Sequence, residues 1–480
     1  MSQERDKCDD CNYKSELMQC IASMKNAIMQ MNALMVENEK LKNALADMEV
    51  LASENEQLKK EKYILNYKIL IQKKSHEKFI RELTPVEQKY FSKVSSAEFY
   101  KRLYETAQSA NAVMKIEREN LIAKMREKYG KKRILFVLPI GATCGGASVI
   151  VSEAAAMRRF GVDAQIINLT CYEKEYRQAY EQFGVPAIFI SDLSRVIEYK
   201  NAYDVICATA CTTVKLANFS ELAKHTKVAY YVQDYEPFFF KEETELYQMA
   251  KDSYTLVPEM QCVTKTEWNR KRVKENTGVD CKLIYPSVHI DIYFPEKKCE
   301  EKKDFVVVTA MIRPDTPRRG AAQTMKVLQN IFWKYGKSVQ IHIFGNDEIV
   351  ESEFFIENAT DFEYQNHGLT VPQKTAELLQ KTDVFVDFSL FQAMGLTAME
   401  AMASGCAVIV PQNGGATAYA ENEKNALLVD TADVNKCENA LSRLIENRNL
   451  REKLAMQAVM DVCRYYPERS AASFLESVLE

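Results

Sequence analysis

The sequence predicts an α/β protein with two doubly wound parallel sheets facing a cleft, preceded by a long helical region. Three observations predict it. At 480 residues, 47% hydrophobic and 27% charged, the chain exceeds one ordinary core and calls for two or three domains. After residue 130 there are two successive sets of short, continuous apolar runs, each followed by a loop and a helical stretch. Before residue 130 the apolar residues instead recur at three- and four-residue steps.

The helical region is read over residues 1–130. Leu17, Ile21, Met24, Ile28, Met31, Met35, Leu41, Leu45 and Met48 keep the helical period, and no Gly or Pro falls between Leu17 and Leu70. This is the pattern of a coiled coil with a slip in register between Met35 and Leu41. Pro85 interrupts it, and a second helical stretch carrying Phe99, Leu103, Val113, Ile116, Leu121 and Met125 runs to Gly130. The expected role is oligomerisation or docking, with a helical hairpin packed on its own chain as the alternative. Cys8 and Cys11 have the spacing of half a zinc site, but no second pair follows, so no metal is expected.

The first α/β domain is expected over 131–295. Its strand candidates are RILFVLP (133–139), AQIINL (164–169), AIFI (187–190), DVICATA (204–210), VAYYV (228–232) and KLIYP (282–286). A second domain is expected over 296–480, with DFVVVTAMI (304–312), VQIHIF (339–344), DVFVDF (383–388), AVIVP (407–411) and ALLVD (426–430). The hinge falls near 287–303, and the last helix is expected to cross back to the first domain. Two such domains in series open a ligand cleft where the carboxyl ends of their strands meet.

Composition narrows the chemistry. A net charge of −4 gives no overall basic field for nucleic acid. Thirteen cysteines scattered through apolar segments suit a reducing compartment, the start is polar, and no apolar run reaches the roughly 18 residues of a membrane span. A cytoplasmic protein is expected, with a peripheral position at the inner face of the membrane as an option. Isolated His289, His342 and His367 read as structural.

Three stretches carry candidate chemistry. In IGATCGGAS (140–148), Gly145 and Gly146 sit between strand and helix, where backbone amides can approach an anion; a plain tight turn is equally open. In AMIRPDTPRRG (310–320), Arg313, Arg318 and Arg319 follow the first strand of the second domain, and guanidinium forks match phosphate oxygens. In FQAMGLTAMEAMASG (391–405), Gly395 permits a sharp turn that aims the amides of Gly395, Leu396 and Thr397 into the cleft, as suits a diphosphate. Glu400 follows one turn into that helix, placed to accept hydrogen bonds from sugar hydroxyls.

The run SLFQAMGLTAMEAMASGCAVIVPQNGGATAYAENEKNALLVDTAD resembles the donor-site signature of glycosyltransferase family 4, enzymes of the GT-B fold. Glu400 matches the second glutamate of that signature, and Gly414 and Gly415 match its downstream glycine pair. GGASVIVSEAAAMRRFG, IRPDTPRRG and YPSVHIDIYFP are similar to the family's amino-terminal glycine loop, its basic phosphate loop and its interdomain linker. Gln392 stands where the family usually has its first glutamate, and Gln233-Asp234 where many relatives carry His before an acidic residue. Taken with VQDYEPFF, the set is similar to a rhamnosyltransferase-like branch.

The resemblance implies transfer of a sugar, L-rhamnose from dTDP-L-rhamnose, to a saccharide acceptor in surface polysaccharide biosynthesis, with retention of configuration and without metal or other cofactor. It implies that Glu400 holds the ribose or deoxyribose, Gln392 the sugar, Arg313 with Arg318 or Arg319 the diphosphate, and that Asp234 orients donor or acceptor. The alternatives are the same fold with a UDP- or GDP-sugar donor, or a non-catalytic scaffold organised by the coiled coil. Self-association through the N-terminal helices is expected, and nucleic acid is not a partner.

Overall fold

The computed structural model describes residues 96–141, 145–296, 305–346, 353–358 and 362–480. The expected coiled coil over 17–70, Pro85 and the Cys8/Cys11 pair lie outside the described residues. Ser96–Glu480 folds as one compact unit.

Two parallel sheets form this unit, as the apolar runs predicted. The first contains β1 (Arg133–Val137), β2 (Asp163–Leu169), β3 (Ala187–Ile190), β4 (Val205–Ala208), β5 (Lys227–Tyr231), β6 (Gln261–Thr264) and β7 (Lys282–Leu283), in the order β3-β2-β1-β4-β5-β6-β7. The second contains β8 (Val306–Met311), β9 (Val339–Phe344), β10 (Gln365–Asn366), β11 (Val384–Val386), β12 (Ala407–Pro411) and β13 (Leu427–Val429), in the order β10-β9-β8-β11-β12-β13. In both, strand order reverses beside the first strand, so β1/β4 and β8/β11 are the switch points outside which ligands bind. β1 shows why these runs are unbroken: Ile134 and Phe136 face one core, Leu135 and Val137 the other, and all four are fully buried.

β6 and β10 were not anticipated. QCVT is short and half polar, and β10 is two residues long; each is held by its neighbour, β6 pairing with β5 and β10 with β9. KLIYP pairs over two residues only, because the chain then leaves the sheet, with Ile284 donating to Thr264 O and Pro286 following.

Helix Pro467–Leu479 returns to the first sheet. Ala471, Phe474, Leu475 and Val478 join the core beneath β1, and the Phe474 ring lies 5.4 Å from Phe136 and 5.7 Å from Tyr231. A buried polar knot fixes it there. Lys265 Nζ donates to Glu153 Oε1 at 2.6 Å, Ser287 Oγ at 2.9 Å, Ser470 Oγ at 2.8 Å and Tyr285 O at 3.0 Å, while Tyr231 OH donates to Glu153 Oε2 at 2.8 Å. Burial lowers the lysine pKa against the pull of Glu153. With every strong donor used, this ion pair joins helix Gly145–Arg159, the interdomain linker and the last helix in one place.

Helix Ser96–Tyr129 ends at Gly130, as its sequence pattern predicted. It lies on the body of its own chain. Leu103 and Ala107 pack on Val459, Met125 and Tyr129 enter the first core, and Tyr100 OH bonds Asp383 at the base of the second sheet. In the middle of its buried face, Arg118 donates to both oxygens of Asp291 at 3.0 and 2.9 Å and both of Glu468 at 3.0 and 3.1 Å. The region expected as a docking arm therefore divides, since residues 96–129 are part of the folded body.

Candidate functional site

Between the carboxyl ends of the two sheets lies a cleft of about 650 Å³. Its walls include Gly145, Arg313, Arg318, Arg319, Leu396, Thr397 and Glu400, seven of the residues singled out in the sequence. Three different loops bring them together, one from the first domain and two from the second.

Helix Leu396–Ala403 begins at Gly395, whose φ of 81° is a left-handed conformation that glycine adopts without strain. A side chain there would also meet the Tyr419 hydroxyl at 2.8 Å, and that hydroxyl already donates to Gly395 O. The first turn holds no acidic residue, and its leading amides have no acceptor within the helix. Opposite, helix Gly145–Arg159 starts at Gly145, close enough that an added Cβ would sit 3.8 Å from Leu396. Gly146 has no room for a side chain, because its Cβ would fall 2.3 Å from Gln233 Oε1. Two helix N-termini thus converge on one space, and both favour negative charge.

The arginines reinforce that preference. Arg313, Arg318 and Arg319 rise from the loop after β8. Arg318 Nη2 reaches Asp234 Oδ2 at 3.2 Å, and its guanidinium lies 4.6 Å from the Phe239 ring, yet its buried Nε–H has no acceptor. Burial lowers the Arg319 pKa; Asp387 opposes the shift, and the positive charges of Arg318 and Arg313 add to it. Such a cluster holds more cationic donor capacity than its own carboxylates satisfy.

Glu400 is half-buried, and its carboxyl faces the cleft. Burial pushes its pKa up to about 7, although a hydrogen bond with the Tyr293 phenol favours the carboxylate. Other walls include Phe344, Gly345 and 369–372 from the second domain, with Leu369 60% and Val371 53% exposed at the rim. From the first domain come Ser148, Ser152, Glu175 and Gln178, and from the linker His289, whose Nδ1 is buried without a partner.

Four expected residues are not on these walls. Gly146 and Gly395 lie behind Gly145 and Leu396. Asp234 is buried, accepting from the Tyr235 amide at 2.9 Å and from Arg318, and burial raises its pKa. Gln392 is buried too, its amide donating to Asp387 and, at 2.9 Å, to Ser389 Oγ. Sequence reasoning missed Tyr293, His289, Glu175 and Gln178 as cleft residues; Tyr293 and His289 carried one signal, their place in YPSVHIDIYFP. It also missed that His342 and His367 meet, ring nitrogens 2.8 Å apart across β9 and β10. Among the described residues no three His, Cys, Asp or Glu side chains group as a metal cage, and no helix is long and apolar enough to cross a membrane.

Comparison with known proteins places this geometry. Residues 292–459 match the family model described as "Glycosyl transferases group 1". D-inositol 3-phosphate glycosyltransferase of Corynebacterium urealyticum is 31% identical over 105 residues, 22% of this chain and 25% of the relative. Sucrose-phosphate synthase of Zea mays is 29% identical over 108 residues, 22% of this chain and 10% of the relative. The chain thus spans a quarter or less of these relatives' length. Among solved structures, HepE of Anabaena in complex with UDP and glucose superposes with a TM-score of 0.61 at 15% identity, covering 73% of this chain and 99% of that one. A TarM variant of S. aureus in complex with fondaparinux, alpha-GlcNAc-glycerol and UDP gives 0.60 at 11% identity, covering 73% and 100%.

These matches correct one expectation. They point to the group 1 model and to UDP-bound enzymes, not to glycosyltransferase family 4 or a rhamnosyltransferase branch. The sheets and the superpositions together show the GT-B fold, and residues 292–459 carry the match to the group 1 glycosyl transferases.

Proposed function

We propose that the protein transfers a sugar from a UDP-sugar to a saccharide acceptor, with the second domain (296–480) binding the donor and the first (131–295) presenting the acceptor. The observation that carries this reading is the convergence of two helix N-termini, three arginines and Glu400 on one cleft. UDP is preferred to GDP or dTDP because the solved structures of the same fold hold UDP.

In this reading the donor ribose bonds Glu400, and the diphosphate lies against the amides of Leu396 and Thr397 and the guanidinium groups of Arg313, Arg318 and Arg319. As the glycosidic bond breaks, negative charge grows on the departing phosphate, and these fixed donors stabilise it where it develops. A donor phosphate oxygen takes the proton of the attacking hydroxyl. Glu175, Gln178 and Ser152 supply hydrogen-bonding groups for that acceptor. The spacing of apolar residues over 17–70 supports self-association.

The test is UDP release from a panel of UDP-sugars, each with and without added saccharides, by the full chain and by Arg319→Met. Acceptor-stimulated release that the substitution lowers by about 100-fold or more supports the proposal, on the scale of losing one transition-state donor. Absence of release from every donor refutes it.

A further inference from the structure

From β1 onward the chain crosses between the domains twice, in the linker after β7 and at 463–466 before the last helix. The two crossings touch, the Val288 N–H donating to Tyr465 O at 2.8 Å. Crossings that lie side by side form a hinge, because rotation about their common line stretches neither.

Helix Ser96–Tyr129 spans the same gap without being part of either crossing. It has 34 residues, about 50 Å of rod at 1.5 Å per residue. Its first turns hold the second domain at the amino ends of the strands: Phe99 packs on that core, and Tyr100 OH bonds Asp383, whose other oxygen accepts the Val307 N–H at 2.8 Å. Its last turns hold the first domain, with Met125 and Tyr129 in the core and Arg126 Nη2 donating to Arg159 O at 2.9 Å. Arg118 lies between these ends and touches both crossings. One edge of its guanidinium donates to Asp291 in the linker at 2.9 and 3.0 Å, the other to Glu468 in the first turn of the last helix at 3.0 and 3.1 Å, and the group lies 5.7 Å from the ring of Tyr466. A planar fork filled on both edges fixes the angle between its two carboxylates as well as their separation.

We propose that helix Ser96–Tyr129 is a brace across the interdomain hinge, with Arg118 as its pin, and that it closes the rotation the two crossings leave open. Past the carboxyl ends of β6, β11 and β12 the domains meet directly, where Trp268 of the first stacks on Phe391 of the second at 5.7 Å and donates from Nε1 to Asn413 Oδ1 at 3.0 Å. The brace grips the second domain at the opposite ends of its strands, so freeing the hinge at Arg118 lets these contacts part. The helix thereby sets the aperture of the cleft from outside both sheets. This goes beyond the donor-site reading and is tested without a ligand.

The experiment is acrylamide quenching of Trp268 fluorescence in the full-length protein. The chain has two tryptophans, and Trp333, 56% exposed, is first replaced by Trp333→Phe so that Trp268 is the sole emitter. In that background Asp291→Asn and Arg118→Lys each free one edge of the fork or more, and Ile341→Val trims the second core in β9, outside the hinge. Quenching should rise about twofold in Asp291→Asn and in Arg118→Lys, as a shift of population toward the parted state predicts. Ile341→Val should keep the reference value although thermal unfolding shows it less stable. If Arg118→Lys does not fold, Asp291→Asn decides alone, because the Asp291 side chain is 56% exposed and its loss leaves the buried Glu468 both Arg118 and Arg159. Quenching at the reference value in Asp291→Asn, or an equal rise in Ile341→Val, overturns the inference.

Discussion

Arg318 of the second domain is held by Asp234 of the first, Nη2 to Oδ2 at 3.2 Å, with the two side chains 20% and 9% exposed. The pair joins the domains beside the cleft, which Arg318 lines, so an anionic ligand there would compete for the same guanidinium. Nearby contacts join the same two domains: Thr266 Oγ1 donates to Ala393 O at 2.6 Å, and Trp268 stacks on Phe391 at 5.7 Å. Asp234 is therefore part of a clamp between the domains.

Asp234→Asn removes the competitor and leaves Arg318 without its carboxylate. The ligand-free protein should lose about 1–3 kcal/mol, below the range for fully buried pairs because Arg318 reaches the cleft. UDP should then raise the melting temperature by more in the variant than in wild type, since the diphosphate supplies the missing anion. Thermal unfolding with and without UDP measures both.

Ionised Glu400 opposes the stability of the ligand-free protein. Its pKa is raised from the ordinary 4.5 to about 7, so the folded state holds the proton more tightly than the unfolded state does. The sign follows: the stabilisation from holding that proton is complete below pH 4.5 and is lost as pH rises through 7. Glu400→Gln should therefore stabilise the ligand-free protein at pH 8, by on the order of 1 kcal/mol after allowance for its half-exposed position. The same substitution should weaken UDP binding. Denaturant unfolding at pH 5 and pH 8 separates this from a general packing effect, because the gain should vanish at the lower pH.

Gly395→Ala should cost about 1–3 kcal/mol, from a positive φ together with a contact on the Tyr419 hydroxyl. UDP affinity should fall with it, as the helix start is displaced. Gly184→Ala, also at positive φ but with nothing within 4 Å of the added Cβ, is the control that pays for conformation alone and should leave UDP affinity unchanged.

Arg118 makes the N-terminal helix part of the body. Arg118→Met leaves the buried Glu468 only Arg159 as a cation, and should destabilise by about 2–4 kcal/mol. Deletion of residues 1–95 should retain UDP binding. Deletion of 1–130 removes Leu103, Met125 and Tyr129 from two packed clusters and should yield an unfolded or aggregated product, whether or not the protein is an enzyme. Circular dichroism and UDP titration of the two truncations check this.

Both sheets were legible because parallel strands are buried on two faces, and RILFV or AVIVP has no other soluble home. The end of helix Ser96–Tyr129 was legible through Gly130. What the helix packs against was not, because Arg118 finds its partners 173 and 350 residues away. The cleft residues Gly145, Arg313, Arg318 and Arg319 were visible as Gly and Arg at strand ends. The surroundings of Gln392 were not legible, since local turns fold its amide onto Asp387 and Ser389. His289 and Tyr293 were visible only as linker residues, because the cleft they line forms only in the tertiary fold.

The most direct measurement is calorimetric titration of the wild-type chain and Glu400→Ala with UDP, GDP and dTDP at pH 8. The expected result is that UDP binds best and that the substitution weakens it by about 10- to 100-fold, the scale for a lost hydrogen bond to a charged group. Equal affinity of the variant for all three nucleotides, or no binding by the wild type, would contradict a donor site at this cleft.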